Sequence, residues 1–212
     1  MPLVYQHIIN ENTRLAVWSI EEHESFFAEN IGFVADITHL QKRLQFMAGR
    51  YVLKMLAPSL DIISLKPSPT EKPMDPSGKI HFSISHSRDK VAVMVSGNST
   101  VGIDIEFPEK KLISLKNKFL SEKDREVLSE LNHSEIIQLC FGWSVKETLF
   151  KWYGKGGVDF KKHLNILSAS VLDNDFSFQC IFSKDQPISL KVYGFIFEEY
   201  VLAYTYDGLV HK

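Results

Sequence analysis

Apolar and polar positions divide this chain into two stretches of similar plan. Leu3–Ile9 and Arg14–Ile20 read as two strands, with Asn10–Thr13 as the turn between them. From Ile37 to Ala57, Leu40, Leu44, Tyr51 and Met55 recur at helical spacing, and Pro58 ends the pattern. Ile80, Phe82 and Ile84 then alternate with His81, Ser83 and Ser85, which predicts a strand. Lys90–Ser96 and Thr100–Phe107 predict two more around a Gly97-Asn98 turn. Beyond a lysine-rich stretch, Glu106–Lys118, Ser121 with Asp124 is an N-terminal capping signature that opens a short helix over Ser121–Leu131. A long helix follows over Glu135–Tyr153, with Phe141, Val145, Leu149 and Trp152 on one face and Gly154 as its stop. Asn165–Leu172, Phe176–Phe182, Ile188–Phe197 and Tyr200–Tyr206 complete the pattern as strands.

The implied fold class is α+β: two similar α/β lobes with pseudo-twofold symmetry, each a long helix packed on a small, mainly antiparallel sheet. The lobes are expected at 1–106 and 107–212. The stretch 65–79 carries four prolines and reads as a loop. A length of 212 residues suffices for two small lobes with a buried core. A net charge of −2 argues against a general nucleic-acid binder. Two widely separated cysteines, Cys140 and Cys180, lack metal-ligand spacing and fit a reduced, cytoplasmic protein. There is no secretion signal and no apolar run near the ~20 residues of a membrane span, so no membrane partner is expected.

Several constellations carry candidate chemistry. In the strand TVGIDIEF, Val101, Ile103 and Ile105 point one way, and Gly102, Asp104 and Glu106 the other. Two carboxylates thereby share a face about 6–7 Å apart. That pair suits a hard cation such as Mg²⁺, and Gly102 leaves room for a ligand; the plainer reading is the polar face of an edge strand. In WSVKETLFK, Glu147 and Lys151 are i, i+4 on one helix face with Lys146 beside them. They form either a surface pair or a third carboxylate with two ammonium groups for phosphates. FSISHS offers Ser83, Ser85, Ser87 and His86 as a phosphate cradle, or as a turn and a surface His. A serine-hydrolase elbow, G-x-S-x-G, is absent. Arg43, Met47, Arg50 and Lys54 form one helical stripe, a solvated face or an anion site. Lys72 and the Lys155 of the Gly154–Gly157 turn are further candidates.

Taken in order along the chain, FSISHS, VGIDIE and WSVKETLFK resemble the 4′-phosphopantetheinyl transferase family. The resemblance is to its larger class of two fused lobes, typified by the surfactin-synthetase activator, and extends from Ala48–Lys54 to Gly156. It implies transfer of the phosphopantetheine arm of coenzyme A to a serine of an apo acyl carrier protein or peptidyl carrier domain, releasing adenosine 3′,5′-bisphosphate. By position it makes Asp104, Glu106 and Glu147 the Mg²⁺ ligands; on chemical grounds a carboxylate, most simply Glu147 directly or through a water, can take the serine proton. Lys146 and Lys151 go to the diphosphate. Ser85 and His86 go to the 3′-phosphate, helped by Lys72 and by Arg50 or Arg43. A cleft wholly on one chain implies a monomer.

The sequence departs from the family pattern in three places. Thr148 replaces the usual Ala, Asp124 stands where Glu is usual, and the acidic Ser19–Asp36 has no Lys or Arg for the 3′-phosphate. Competing readings are a coenzyme A-binding module without transferase activity and another Mg²⁺-dependent phosphohydrolase.

Overall fold

The computed structural model describes residues 2–65 and 73–206. Two antiparallel sheets form its centre. The first has strand order β1-β2-β4-β3, built from β1 (Leu3–Asn10), β2 (Thr13–Ser19), β3 (His81–Ser87) and β4 (Lys90–Ser96). The second has the order β5-β9-β8-β7-β6, from β5 (Gly102–Glu106), β6 (Leu164–Leu172), β7 (Asp175–Phe182), β8 (Ile188–Phe197) and β9 (Tyr200–Thr205). The helices are α1 (Glu24–Ile31), α2 (Leu40–Leu56), α3 (Lys111–Phe119), α4 (Glu122–Ser129), α5 (Glu135–Tyr153) and the single turn α6 (Phe160–His163). This is the α+β arrangement of two helix-on-sheet lobes expected from the sequence. No described helix is long and apolar enough to cross a membrane.

The layers run helix, sheet, sheet, helix. One core lies between α1, α2 and the first sheet, where Phe27, Met47, Val52 and Leu53 meet Ala16, Trp18, Val91 and Val93. A second lies between α5 and the second sheet, where Phe141, Val145 and Leu149 meet Phe176, Phe178, Val192 and Val201. The third joins the sheets themselves: Leu15, Val17, Ala92 and Met94 pack on Val101, Ile103, Ile105 and Leu202. β4 is therefore buried at every position. That explains its run of consecutive apolar residues where a one-faced strand would alternate.

Predicted boundaries move by one to three residues, and α1, α3 and the single turn α6 appear where the polar pattern hid them. α2 begins at Leu40 rather than Ile37, because extended His39 caps it. α1 occupies the acidic stretch and ends at Gly32 in the left-handed region, φ 85°. α3 forms within the lysine-rich stretch, burying Leu112 and Phe119. The capping box of Ser121 and Asp124 forms as expected and starts α4. β5 follows the first sheet in chain order but is hydrogen-bonded to β9 of the second.

Candidate active site at the seam between the sheets

The edge strand of each sheet, β3 and β5, lie side by side without a shared backbone ladder. Serine hydroxyls join them instead. Ile103 N donates to Ser83 Oγ (3.1 Å), Ser85 Oγ donates to Asp104 Oδ1 (2.8 Å), and Ser87 Oγ donates to Glu106 Oε2 (3.0 Å). Phe107 N completes the series by donating to Ser87 Oγ at 3.1 Å. Strand alternation turns Ser83, Ser85 and Ser87 toward this seam and leaves Phe82 and Ile84 facing α2.

α5 lies across the seam, and Gly102 sets how closely. A Cβ at Gly102 would fall 2.2 Å from the Thr148 carbonyl oxygen and 3.0 Å from Trp152 N. The space beside the carboxylates that the sequence suggested for a ligand is therefore filled by the α5 backbone at this position. Thr148, the departure from the family pattern, is buried and donates its hydroxyl to Ala203 O of β9 at 3.1 Å. Gly102→Ala is expected to push α5 off β5 and cost about 2–3 kcal/mol. Urea unfolding checks this; an unchanged midpoint would show that α5 can shift freely.

This close approach brings Lys151 onto the Asp-x-Glu strand. Lys151 Nζ donates to Asp104 Oδ1 and to Ser85 Oγ, both at 2.7 Å. Asp104 is 2% exposed, and its second oxygen, Oδ2, is buried with no hydrogen-bond partner. Glu106 accepts from Trp143 Nε1 of α5 at 3.2 Å on its other oxygen. Burial and then the Asp104 charge push Glu106 above the usual carboxylate range, against the Ser87 and Trp143 bonds. Glu147 is pushed up to about 7 by burial, then by Asp104, with Lys151 opposing. Three carboxylates thus act on one another electrostatically. Among the described residues no group of three or more His, Cys, Asp or Glu side chains is arranged to hold a metal ion.

A cavity of about 470 Å³ opens beside the end of α5, between the segment 73–82 and residues 152–155. Pro73, Met74, Phe82, Trp152 and Tyr153 give it an apolar lining, and Lys155 stands at its wall. The glycine turn that carries Lys155 needs left-handed backbone at Gly154 (φ 72°) and Gly157 (φ 74°). Lys184 of the β7–β8 turn holds it by donating to Gly156 O at 2.7 Å.

The other candidates are placed differently. Lys146 is fully buried; it donates to Asp124 Oδ2 (2.6 Å) and Phe160 O (2.9 Å), so it is a structural ion pair and not a diphosphate contact. Arg43 is paired with Glu24 of α1 and donates to Ile37 O at 2.6 Å. The acidic stretch that lacked a partner for phosphate is thus what neutralises Arg43. Arg50 is 3% exposed, donates to Leu65 O at 3.1 Å and lies over the Phe46 ring. Lys54 donates to Asn30 O at 2.7 Å. The cations of the supposed anion stripe therefore all have protein acceptors, with Arg50 buried, Arg43 half-buried and Lys54 exposed. His86 is exposed and points away from Ser85, since neighbours on a strand face opposite ways. Partial covering of one side of the ring, then the Lys151 charge, lowers its pKa. Lys72 lies outside the described residues. Ser83, Ser87 and Trp143 acquire contacts that the sequence did not assign; the period-2 serines were the available signal.

The segment from β5 to β9 thus contains both strand carboxylates, Glu147 and Lys151. No curated protein matches the chain. A family model for the 4′-phosphopantetheinyl transferase superfamily matches residues 100–205, half of the chain and the whole of the second sheet with α3–α6. On that match, and on the seam that the matched segment builds, the chain belongs to the 4′-phosphopantetheinyl transferase superfamily.

Proposed function

We propose that this protein carries out Mg²⁺-dependent transfer of the 4′-phosphopantetheine arm from coenzyme A to a serine of an apo acyl carrier protein or peptidyl carrier domain, as a cytoplasmic monomer. The observation that carries the reading is the pairing of Lys151 with Asp104 on the strand that also holds Glu106, with Glu147 one turn before Lys151 on α5 and an apolar cavity at that helix's end.

The donor set fits a hard divalent cation. All three carboxylates offer oxygen, and Asp104 Oδ2 is a buried anionic atom without a partner. Mg²⁺ is commonly held by one or two carboxylates with waters and substrate phosphate oxygens, so a three-residue cage is not required. Asp104, Glu106 and Glu147 are the residues that would hold it. Bound there, the ion would neutralise charge on the diphosphate as the leaving group departs.

The protein's own groups account for the rest of the chemistry. The cavity between segment 73–82 and α5 suits the adenosine end, with Lys155 at its wall for a phosphate. Lys151, steered by Asp104 and Ser85, presents an ammonium to the diphosphate. Glu147 accepts the proton of the carrier serine, directly or through a water. The serine oxygen forms the new bond to the β-phosphorus of coenzyme A, and adenosine 3′,5′-bisphosphate leaves with the electron pair of the broken P–O bond. Positioning and charge neutralisation are the main contributions for such a step.

The test is the intact mass of an apo-carrier protein incubated with this protein, coenzyme A and Mg²⁺. The expected result is the gain of one phosphopantetheine arm, abolished by EDTA. Coenzyme A bound without mass gain on carriers of several pathways would overturn the reading.

Glu147 also makes stability depend on pH. Its folded pKa of about 7 lies above the ordinary glutamate value of 4.5. A raised carboxyl pKa means that the charged form costs the fold free energy; the cost begins above pH 4.5 and is complete above 7. Glu147→Gln removes it. We expect the variant to be more stable than the wild type by about 1–3 kcal/mol at pH 8 without metal. The difference should vanish below pH 4.5, and urea unfolding at both pH values measures it. Equal stability at pH 8 would mean that Glu147 is charged there without strain.

A further inference from the structure

We propose that Ser87 is a positioning residue for the cation, fixing Glu106 through a hydrogen bond that also closes the seam between the sheets; this rests on the metal-dependent reading above. Ser87 stands at the last position of β3 and uses both capacities of its hydroxyl. It donates to Glu106 Oε2 at 3.0 Å and accepts from Phe107 N at 3.1 Å. The oxygen therefore has one backbone donor that fixes its place, and its proton has one destination, the carboxylate. Glu106 Oε1 is held independently by Trp143 Nε1 at 3.2 Å. The two donors come from different layers, β3 of the first sheet and α5 of the second lobe, so they define the plane of the Glu106 carboxylate between them. Each carboxylate oxygen keeps lone-pair capacity after these bonds.

Ser83 provides the comparison within the same seam. Its hydroxyl accepts from Ile103 N at 3.1 Å, as Ser87 accepts from Phe107 N. It is more deeply buried, 1% exposed where Ser87 is half-buried, yet no bond joins it to a carboxylate. Loss of Ser83 weakens the seam; loss of Ser87 weakens the seam and releases Glu106. Side chains that orient metal ligands typically contribute 10–100-fold to metal affinity.

The experiment is a Mn²⁺ titration of the full chain in the presence of coenzyme A, followed by the electron paramagnetic resonance of the free ion. No carrier is present, so nothing turns over. Thermal unfolding of each protein is measured alongside. Ser87→Ala is expected to weaken Mn²⁺ binding about tenfold or more relative to Ser83→Ala at similar loss of stability. Ser87→Thr, which keeps the hydroxyl, should restore affinity. Trp143→Phe removes the second donor and should weaken binding in the same direction, which keeps the test available if Ser87→Ala does not fold. Equal Mn²⁺ affinity in Ser87→Ala and Ser83→Ala, or no weakening in Trp143→Phe where only that variant folds, would overturn the proposal and leave the metal reading standing. Failure of the wild type to bind Mn²⁺ would overturn both.

Discussion

Asp104→Asn is expected to reduce transfer to the carrier by about a thousandfold or more while leaving the protein at least as stable as the wild type. The side chains have nearly the same shape, so the change removes charge and little else. In the native protein the Asp104 carboxylate orients Lys151 and Ser85 through one oxygen and keeps the other buried without a partner. It also raises both Glu106 and Glu147 by like-charge repulsion. Neutralising it relieves that repulsion, which offsets the weakened bond to the Lys151 ammonium. Activity and stability should therefore move independently, as expected where a group is retained for chemistry at some cost to the fold. Rates come from the intact mass of the carrier under single-turnover conditions, and stability from urea unfolding. Transfer at the wild-type rate would remove Asp104 from the site. A large loss of stability would make it a structural ion pair like Lys146.

That contrast shows what the sequence could and could not convey. α5 was legible to the residue, because a 19-residue helix bounded by Ser134 and a left-handed Gly154 carries strong local signals. The facing of β5 was legible too, since alternation alone puts Ile103 and Ile105 in the sheet-to-sheet core and Asp104 and Glu106 toward α5. α1 and α3 were not. Each is short, and each takes its stability from tertiary contacts: Phe27 and Ile31 under α1, Leu112 and Phe119 under α3. Local pattern also cannot say whether a cation on a helix meets solvent, substrate or a distant carboxylate. Arg43, Arg50 and Lys146 all read as free charges, and all have acceptors brought in from elsewhere in the chain: Glu24, Leu65 O and Asp124. Lys151 had the same ambiguity, and it too meets a carboxylate from elsewhere, because Gly102 lets α5 approach until its ammonium reaches Asp104; unlike Lys146 it keeps 22% of its side chain exposed.

Lys146→Met supplies the complementary expectation. The change should cost about 3–5 kcal/mol, on the order of 10 °C in the unfolding midpoint, with little effect on coenzyme A binding by the protein that remains folded. Lys146 lies beside Glu147 in the family motif, yet its ammonium is enclosed, and burial pulls its pKa down while Asp124 opposes. Asp124 is the more connected partner. Its Oδ2 accepts from Lys146 Nζ (2.6 Å) and Ser121 N (2.7 Å), and its Oδ1 accepts from Ile166 N at 2.9 Å. One carboxylate thus closes the capping box of α4, anchors β6 and neutralises a lysine in the middle of α5. Removing the ammonium leaves that carboxylate 1% exposed and without a counter-charge. The carboxylate is then held by the Ser121 and Ile166 backbone N–H groups alone. Adding Asp124→Asn to the variant should recover part of the loss, since the amide oxygen still accepts from one backbone N–H. Urea unfolding of both variants measures these differences. A Lys146→Met protein of wild-type stability with weakened coenzyme A binding would return Lys146 to the diphosphate and overturn its structural assignment.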